Sequence, residues 1–301
     1  MEKLEEYING NVNVAIYDNG TRVCYNDLDY FDFEFPLSID CKITNRCKIG
    51  CSFCHENSTK DGKHGDIMDA KFVDTLHAGT ELAIGGGSIT EHPDLYQFLQ
   101  KLKERKVIAN ITVSQREYQE KFDFISQLIT EDLVHGIGIS FSSFNDVFWN
   151  KVLTNNNVVV HLIAGVHGKD VFDYLINKNA KILVLGYKDF GRGHNLLEKA
   201  SAIIEIQREW LKNALPYYFS QANLLSFDNL ALKQLEVEKH FTTEEWEKLY
   251  QGDDGTCSMY IDLVNKKFAK NSTSTIRYDL LDNIKDMFKV VKNENKGKNQ
   301  K

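Results

Sequence analysis

The sequence predicts an α/β protein whose parallel sheet is covered on both faces. Three observations lead to this prediction. From residue 33 onward, apolar strand-like segments alternate with amphipathic segments of helical period. Residues 158–163 and 182–185 are apolar almost without interruption, as strands buried on both faces are. The chain of 301 residues is also long enough for a large core, so a barrel or a doubly wound sheet would fit.

The predicted elements follow one another in a regular order. Residues 12–25 alternate apolar and polar side chains around Asp18-Asn19-Gly20, which indicates an N-terminal β-hairpin. Strands are then expected at residues 33–39, 81–84, 107–113, 136–141, 158–163 and 182–186. Helices are expected at residues 69–77, 94–105, 118–130, 146–153 and 170–177, followed by a longer helix at 196–211 that ends by Pro216.

Beyond residue 215 the regular alternation gives way to shorter, mixed elements. A helix is expected from Thr242 or Thr243 to Tyr250, a hairpin at 259–269 and a last helix at 278–291. The expected organisation is an N-terminal hairpin extension at 1–32, a core at 33–214, a C-terminal subdomain at 215–291 and a polar tail at 292–301.

Composition and charge limit the function classes. The formal net charge of −7 argues against a broad basic surface, and therefore against duplex nucleic acid as a main partner. No apolar run approaches the roughly 18 residues of a membrane-spanning helix, and residues 1–10 lack the apolar core of a signal peptide. We therefore expect a cytoplasmic protein that does not insert into membranes.

Four of the six cysteines lie close together in the sequence. Without a signal peptide a reducing compartment is the default, so we interpret clustered thiols as metal ligands rather than as disulfides. Cys47, Cys51 and Cys54 form a C-x3-C-x2-C motif, a spacing that lets three thiolates turn towards one inorganic cluster. Structural zinc is the alternative, with Cys41 or His55 as the fourth ligand.

The position of the cysteine motif adds to its spacing. The motif follows the first predicted core strand, and a glycine run, Gly85-Gly86-Gly87-Ser88, follows the next strand. Parallel α/β folds place their active sites at this carboxyl edge of the strands. With these two motifs in this order, residues 33–190 resemble the radical S-adenosylmethionine (SAM) superfamily.

The resemblance implies a fold and two cofactors. The fold would be a partial (β/α)6 TIM barrel. Cys47, Cys51 and Cys54 would ligate a 4Fe-4S cluster, whose remaining iron binds the amino and carboxylate groups of SAM. Phe53 would flank the adenine ring. In this family, reductive cleavage of SAM gives a 5'-deoxyadenosyl radical that abstracts a hydrogen atom from the substrate.

The resemblance also implies further contacts with SAM. Backbone carbonyls of Gly85, Gly86 and Gly87 would approach the amino group. Ser88 stands where the family usually has Glu, so either its hydroxyl takes that role or Glu91 reaches back. The other implied cofactor contacts are Ser114, Ser140, Ser142, Gly165, Lys188 and Arg192. Alternatively, the three serines are ordinary residues at strand ends, and Lys188 and Arg192 belong to a solvated basic loop. His161 is expected to be a core residue rather than part of the site.

The sequence leaves the substrate open. Residues 255–270 have the outline of the hairpin in the SPASM and twitch extensions of peptide-modifying members, without further cysteines for a second cluster. A peptide or protein is therefore the favoured substrate, with a small molecule such as a nucleotide, or a non-catalytic zinc protein, as alternatives. Cys257 would be either a hydrogen donor to a substrate radical or a packed thiol. Reduction of the cluster would need an electron donor such as flavodoxin or ferredoxin.

Overall fold

A ten-stranded sheet forms the centre of the protein, and the computed structural model describes residues 2–28 and 30–296. Eight consecutive strands of this sheet are parallel, and six of them form the partial barrel that the sequence predicts. These strands are β4 (Ser38–Thr44), β5 (Glu81–Gly86), β6 (Ile108–Ser114), β7 (Gly136–Ser140), β8 (Val158–Ile163) and β9 (Lys181–Leu185). Their alternate side chains are buried because helices cover the outer face.

Helices connect the parallel strands. Those of the core are α1 (Leu95–Glu104), α2 (Gln115–Glu120), α3 (Phe122–Thr130), α4 (Asp146–Val152), α5 (Lys169–Asn177) and α6 (Arg192–Gln221). The first of them shows why they form: Leu95, Phe98, Leu99 and Leu102 recur at helical spacing, and all four are buried against the sheet.

The N-terminal segment forms a separate three-stranded antiparallel sheet. Its strands are β1 (Lys3–Asn9), β2 (Val12–Tyr17) and β3 (Arg22–Tyr25). The predicted hairpin is confirmed as β2 and β3. The strand β1 was not predicted, because its charged residues interrupt the apolar alternation of a strand. Gly10 turns the chain between β1 and β2 with a positive φ of 64°, a conformation that favours glycine.

Segments beyond residue 215 add strands to both edges of the central sheet. The strand β10 (Leu224–Phe227) pairs in parallel with β9, and β11 (Ser258–Asp262) pairs in parallel with β4. The predicted hairpin is confirmed as β11 with β12 (Lys267–Ala269), and β13 (Tyr278–Asp279) follows it. The remaining helices are α7 (Asn229–Gln234), α8 (Thr243–Leu249) and α9 (Ile284–Lys296).

Several predicted boundaries were wrong. Residues 69–77 form only a short 3₁₀ turn, Lys71–Thr75, and the helix predicted at 118–130 is divided into α2 and α3. The helix α6 continues through Pro216 to Gln221. Residues 292–296 of the predicted tail belong to α9, and residues 297–301 lie outside the described residues. No helix in the described part of the chain is long and apolar enough to cross a membrane.

Candidate cluster and cofactor site

A cavity of about 320 Å³ opens at the carboxyl edge of the parallel strands. Loops after parallel strands meet at one edge, so residues far apart in the sequence share this cavity. Predicted site residues in its wall are Cys47, Cys51, Phe53, Cys54, Gly85, Gly86, Gly87, Ser114, Ser140, Ser142 and Lys188. A second depression, of about 420 Å³ between α7 and α8, is lined by none of the predicted site residues.

The cysteine loop is held in place by its own backbone and by the loop after β9. The Cys47 amide donates to the Thr59 carbonyl at 2.8 Å, which closes the two ends of the loop. The Arg192 guanidinium donates to the carbonyls of Cys51 (2.9 Å) and Ser58 (2.8 Å), and its amide donates to the Cys54 carbonyl (3.0 Å). Arg192 therefore clamps the loop and does not line the cavity, and its contact with an anionic group stays a prediction.

The glycine run packs against the start of the cysteine loop. A Cβ on Gly86 would lie 2.4 Å from the Thr44 carbonyl oxygen, and one on Gly87 would lie 2.2 Å from that of Arg46. The Gly87 amide donates to Thr44 O at 2.8 Å, and the Ser88 amide donates to Arg46 O at 2.7 Å. Side chains would separate the two loops, so both glycines are required for this close approach.

Ser88 takes a different place from the expected one. Its side chain is buried, and its hydroxyl donates to the Cys47 Sγ at 3.5 Å instead of lining the cavity. Glu91 does not reach the cavity either, because Arg46 and Lys48 hold its carboxylate at 3.2 and 3.0 Å. Neither residue stands where the family's glutamate would meet the amino group of SAM.

Cys47, Cys51 and Cys54 are half-buried and free, and each lies in the cavity wall. The buried Cys41 lines the same cavity, whereas Cys24 and Cys257 do not. Burial, and then the neighbouring thiols of Cys54 and Cys47, raise the pKa of Cys51, so a nearby cationic group is needed to hold Cys51 as a thiolate. In the described residues no three His, Cys, Asp or Glu side chains converge on a single ion. A 4Fe-4S cluster does not need that convergence, because each thiolate binds a different iron atom, and the donor set fits it.

Phe53 and Ser114 also line the cavity, whereas Gly165 does not. The Phe53 ring lies edge-on to His167, with 6.4 Å between centroids, beside Ile163 at the end of β8. Ser114 has a second role as the N-cap of α2, since its hydroxyl accepts from the Glu117 amide at 3.0 Å. Gly165 was misplaced: it faces α6, where an added Cβ would lie 2.7 Å from Ile204 Cγ2, and it is absent from the cavity wall.

A buried network of charges forms the side of the cavity next to β11. The Lys42 ammonium donates to Glu56 at 2.6 Å and to Asp262 at 3.3 Å. The Tyr260 hydroxyl donates to the other Glu56 oxygen at 3.2 Å, and His55 lies 3.3 Å from it. Burial raises the pKa of Glu56, but the bonds from His55 and the charge of Lys42 outweigh it and hold the pKa well below its usual range. The sequence pattern gave no signal for this network, which joins β4 to β11.

The deep end of the cavity also contains residues that sequence reasoning missed. Asp40 of β4 lines it, and enclosure by protein raises the pKa of this carboxyl, while the charge of Lys188 lowers it. Lys188 itself donates to Ser272 Oγ at 3.0 Å. His161 lines the cavity rather than the outer core, and burial lowers its pKa to about 4, so the ring is neutral near pH 7. Polar residues at alternate positions of buried strands were the signal for an inward-facing site.

Cys257 lies far from the other predicted site residues. It directly precedes β11, which runs parallel to β4, and therefore sits at the amino edge of the sheet. Its carbonyl accepts from the Leu37 amide at 2.8 Å, and burial raises the pKa of its thiol to about 11. Of the two alternatives for Cys257, this position at the amino edge favours the packed thiol.

Comparison with known proteins supports the assignment made from the motifs. No sequence model of a protein family matches the chain. The protein AlbA of Bacillus subtilis (strain 168), named for the biosynthesis of the antilisterial bacteriocin subtilosin, is 26% identical over 199 residues. The match covers 55% of this chain and 43% of AlbA, so the chain spans less than half the length of this curated relative.

Solved structures share the fold. Streptococcus suis SuiB bound to the precursor peptide SuiA superposes with a TM-score of 0.58 at 13% identity, over 88% of this chain and 82% of SuiB. SuiB bound to SAM superposes with a TM-score of 0.62 at 11% identity, over 91% of this chain and 84% of SuiB. The chain therefore shares the fold of SuiB, and part of its sequence is similar to AlbA. The partial barrel that the sequence predicts is confirmed.

Proposed function

We propose that this protein is a radical SAM enzyme that modifies a peptide or a protein. The observation that carries the proposal is the single cavity in which three free thiols, the glycine run and a polar deep end meet. When bound, the 4Fe-4S cluster and SAM would supply a 5'-deoxyadenosyl radical at the mouth of this cavity.

The chain's own residues would position the reactants. Cys47, Cys51 and Cys54 would hold the cluster, and the clamp from Arg192 keeps their loop in register with the barrel. Gly85 leaves room at the strand end, since its nearest neighbour to an added Cβ is Thr112 at 4.0 Å. The barrel wall around this space is apolar behind its lining, which would keep water from the reacting groups.

The deep end of the cavity would receive the substrate. Asp40, His161, Lys188 and Tyr260 present an acceptor, a neutral imidazole, a cation and a hydroxyl to one cavity. Such a set can orient a polar side chain or a peptide group through hydrogen bonds. The peptide class is supported by SuiB, which binds a precursor peptide, and by AlbA, which is named for bacteriocin biosynthesis.

Anaerobic reconstitution tests the proposal. The protein loaded with iron and sulfide, with SAM and a one-electron reductant, is expected to contain four irons per chain. It is also expected to form 5'-deoxyadenosine. Flavodoxin or ferredoxin would serve as the physiological donor, and dithionite replaces them in the assay. Tandem mass spectrometry of precursor peptides encoded by neighbouring small genes would then locate the modification.

The controls distinguish the alternatives. Radical formation with modification of a nucleotide or another metabolite, and with no candidate peptide changed, would favour a small-molecule substrate. Stoichiometric zinc with no 5'-deoxyadenosine, and loss of that zinc in Cys41→Ala, would contradict the enzyme proposal altogether.

A further inference from the structure

The carboxyl group of Glu117 is a buried titratable group in the cavity wall that the motifs did not predict. Glu117 is 5% exposed and lies in the first turn of α2, directly after Ser114 at the end of β6. Its Oε1 accepts from the amide (2.9 Å) and the hydroxyl (2.8 Å) of Thr90, which stands in the turn after the glycine run. These bonds hold the carboxylate beside the carboxyl ends of β5 and β6.

Other glutamates near the cavity are already neutralised. Glu56 is paired with Lys42, and Glu91 is paired with Arg46 and Lys48. Within residues 2–28 and 30–296, no ion pair joins Glu117 to a lysine, arginine or histidine. Burial therefore dominates, and it raises the pKa of Glu117 to about 7, even though the bonds from Thr90 lower it. An enclosed carboxylate without a counter-charge is a site for a cationic or strongly polarised N–H donor.

Ser88 leaves the family's glutamate position without a carboxylate for the amino group of SAM. It occupies the family's glutamate position, but its hydroxyl is directed to Cys47 Sγ, and Ser88 itself does not line the cavity. The glycine run and Glu117 face the same end of the cavity, because β5 and β6 are neighbouring parallel strands.

We propose that Glu117 receives the amino group of SAM and so replaces, from the next strand along, the carboxylate that Ser88 lacks. This inference rests on the proposed function, because it requires SAM in the cavity. Iron binding leaves N–H donors on the SAM amino group, and Glu117 accepts from one of them. Thr90 holds the carboxylate in position, so its reach into the cavity is fixed before SAM arrives.

Binding of SAM to the reconstituted protein tests this assignment. The isosteric Glu117→Gln keeps an oxygen for Thr90 and removes the charge, and it should weaken SAM binding roughly ten- to hundred-fold. Glu117→Asp keeps the charge with a shorter reach and should retain part of the affinity. Affinity is measured by equilibrium titration and by the SAM-dependent change in the EPR spectrum of the reduced cluster.

Two controls separate the possible outcomes. Iron content and the EPR spectrum without SAM should be unchanged in Glu117→Gln, which distinguishes SAM binding from a structural role at Thr90. Glu91→Gln tests the other glutamate considered for the amino group of SAM. Glu104→Gln changes an exposed glutamate and should leave SAM affinity unchanged. Unchanged SAM affinity in Glu117→Gln, or a loss confined to Glu91→Gln, would overturn the assignment. Failure of the wild-type protein to bind SAM would instead contradict the proposed function.

Discussion

The two edges of the parallel sheet carry the same residue type in opposite settings. At the carboxyl edge, Cys47, Cys51 and Cys54 are half-buried and line a cavity. At the amino edge, Cys257 is buried, and its thiol donates to the Gln251 carbonyl at 3.5 Å. Burial raises the pKa of Cys257 to about 11, so this thiol stays protonated and unreactive.

The difference shows that position on the strands decides the role of a cysteine. Loops at the carboxyl edge keep their thiols accessible, because the backbone around them is bonded to itself and to Arg192. The amino edge is closed by packing: Tyr7 and His77 lie 4.6 Å apart between ring centroids, and Arg22 pairs with Glu81. In the proposed function the carboxyl edge would therefore hold the reacting groups, while the amino edge is closed by packing and ion pairs.

The largest expected effect separates the two groups of cysteines directly. Cys47→Ala, Cys51→Ala and Cys54→Ala should each abolish stable 4Fe-4S incorporation, because the cluster needs all three thiolates. Cys24→Ser and Cys257→Ser should retain the iron content of the wild type, as measured by iron analysis and visible absorbance. Loss of the cluster in Cys257→Ser, with the protein still folded, would contradict the distinction between the cysteines of the two edges.

Disrupting the buried charge network at the carboxyl edge should lower the free energy of unfolding more than removing a surface ion pair does. Lys42→Met leaves the carboxylates of Glu56 and Asp262 without their shared cation and should lower the free energy of unfolding by about 3–5 kcal/mol. Lys71→Met removes an exposed pair with Asp282 and should cost less than about 1 kcal/mol. Equal effects in urea titrations would mean that Lys42 is solvated rather than buried.

A third prediction concerns the pH dependence of stability without cofactors. The pKa of Glu117 is raised to about 7 in the folded protein, so the folded state keeps a proton that the unfolded state loses above about pH 4.5. Wild-type stability should therefore fall, relative to Glu117→Gln, as the pH rises from about 4.5 to 8, by about 3 kcal/mol. If the free energy of unfolding changed equally with pH in the two proteins across this range, Glu117 would already be ionised in the folded protein.

The smallest expected effect is on the cluster itself. Ser88→Ala removes the hydroxyl bond to Cys47 Sγ and should lower the reduction potential by roughly 20–60 mV, the equivalent of one net hydrogen bond. Ser140→Ala removes a cavity serine that has no bond to these thiols in the described structure and should leave the potential unchanged. Redox titration followed by EPR measures both, and an equal shift in the two variants would assign the effect to the cavity rather than to the bond.

The sequence predicted the features that depend on local spacing. The three cysteines and the glycine run lie within short segments, and the buried strands carry their signal in consecutive residues. The strand order from β4 to β9 follows from the alternation of strands and helices.

Features that depend on distant partners could not be predicted. The strand β11 joins β4 from more than two hundred positions away in the chain, and Arg192 meets a carbonyl 141 positions earlier. Ser88 turned towards Cys47, and the unpaired carboxylate came from Glu117 on the next strand. A one-dimensional motif fixes which residue is present but not which neighbour it faces.

If the carboxyl-edge cavity binds a 4Fe-4S cluster and SAM together, both should change one spectrum. That spectrum is the EPR signal of the anaerobically reconstituted, reduced protein, recorded with and without SAM. We expect a reduced 4Fe-4S signal whose g values change when SAM is added, and the absence of both features in Cys51→Ala. A signal that SAM leaves unchanged at saturating concentration, or stoichiometric zinc in place of iron, would contradict this expectation.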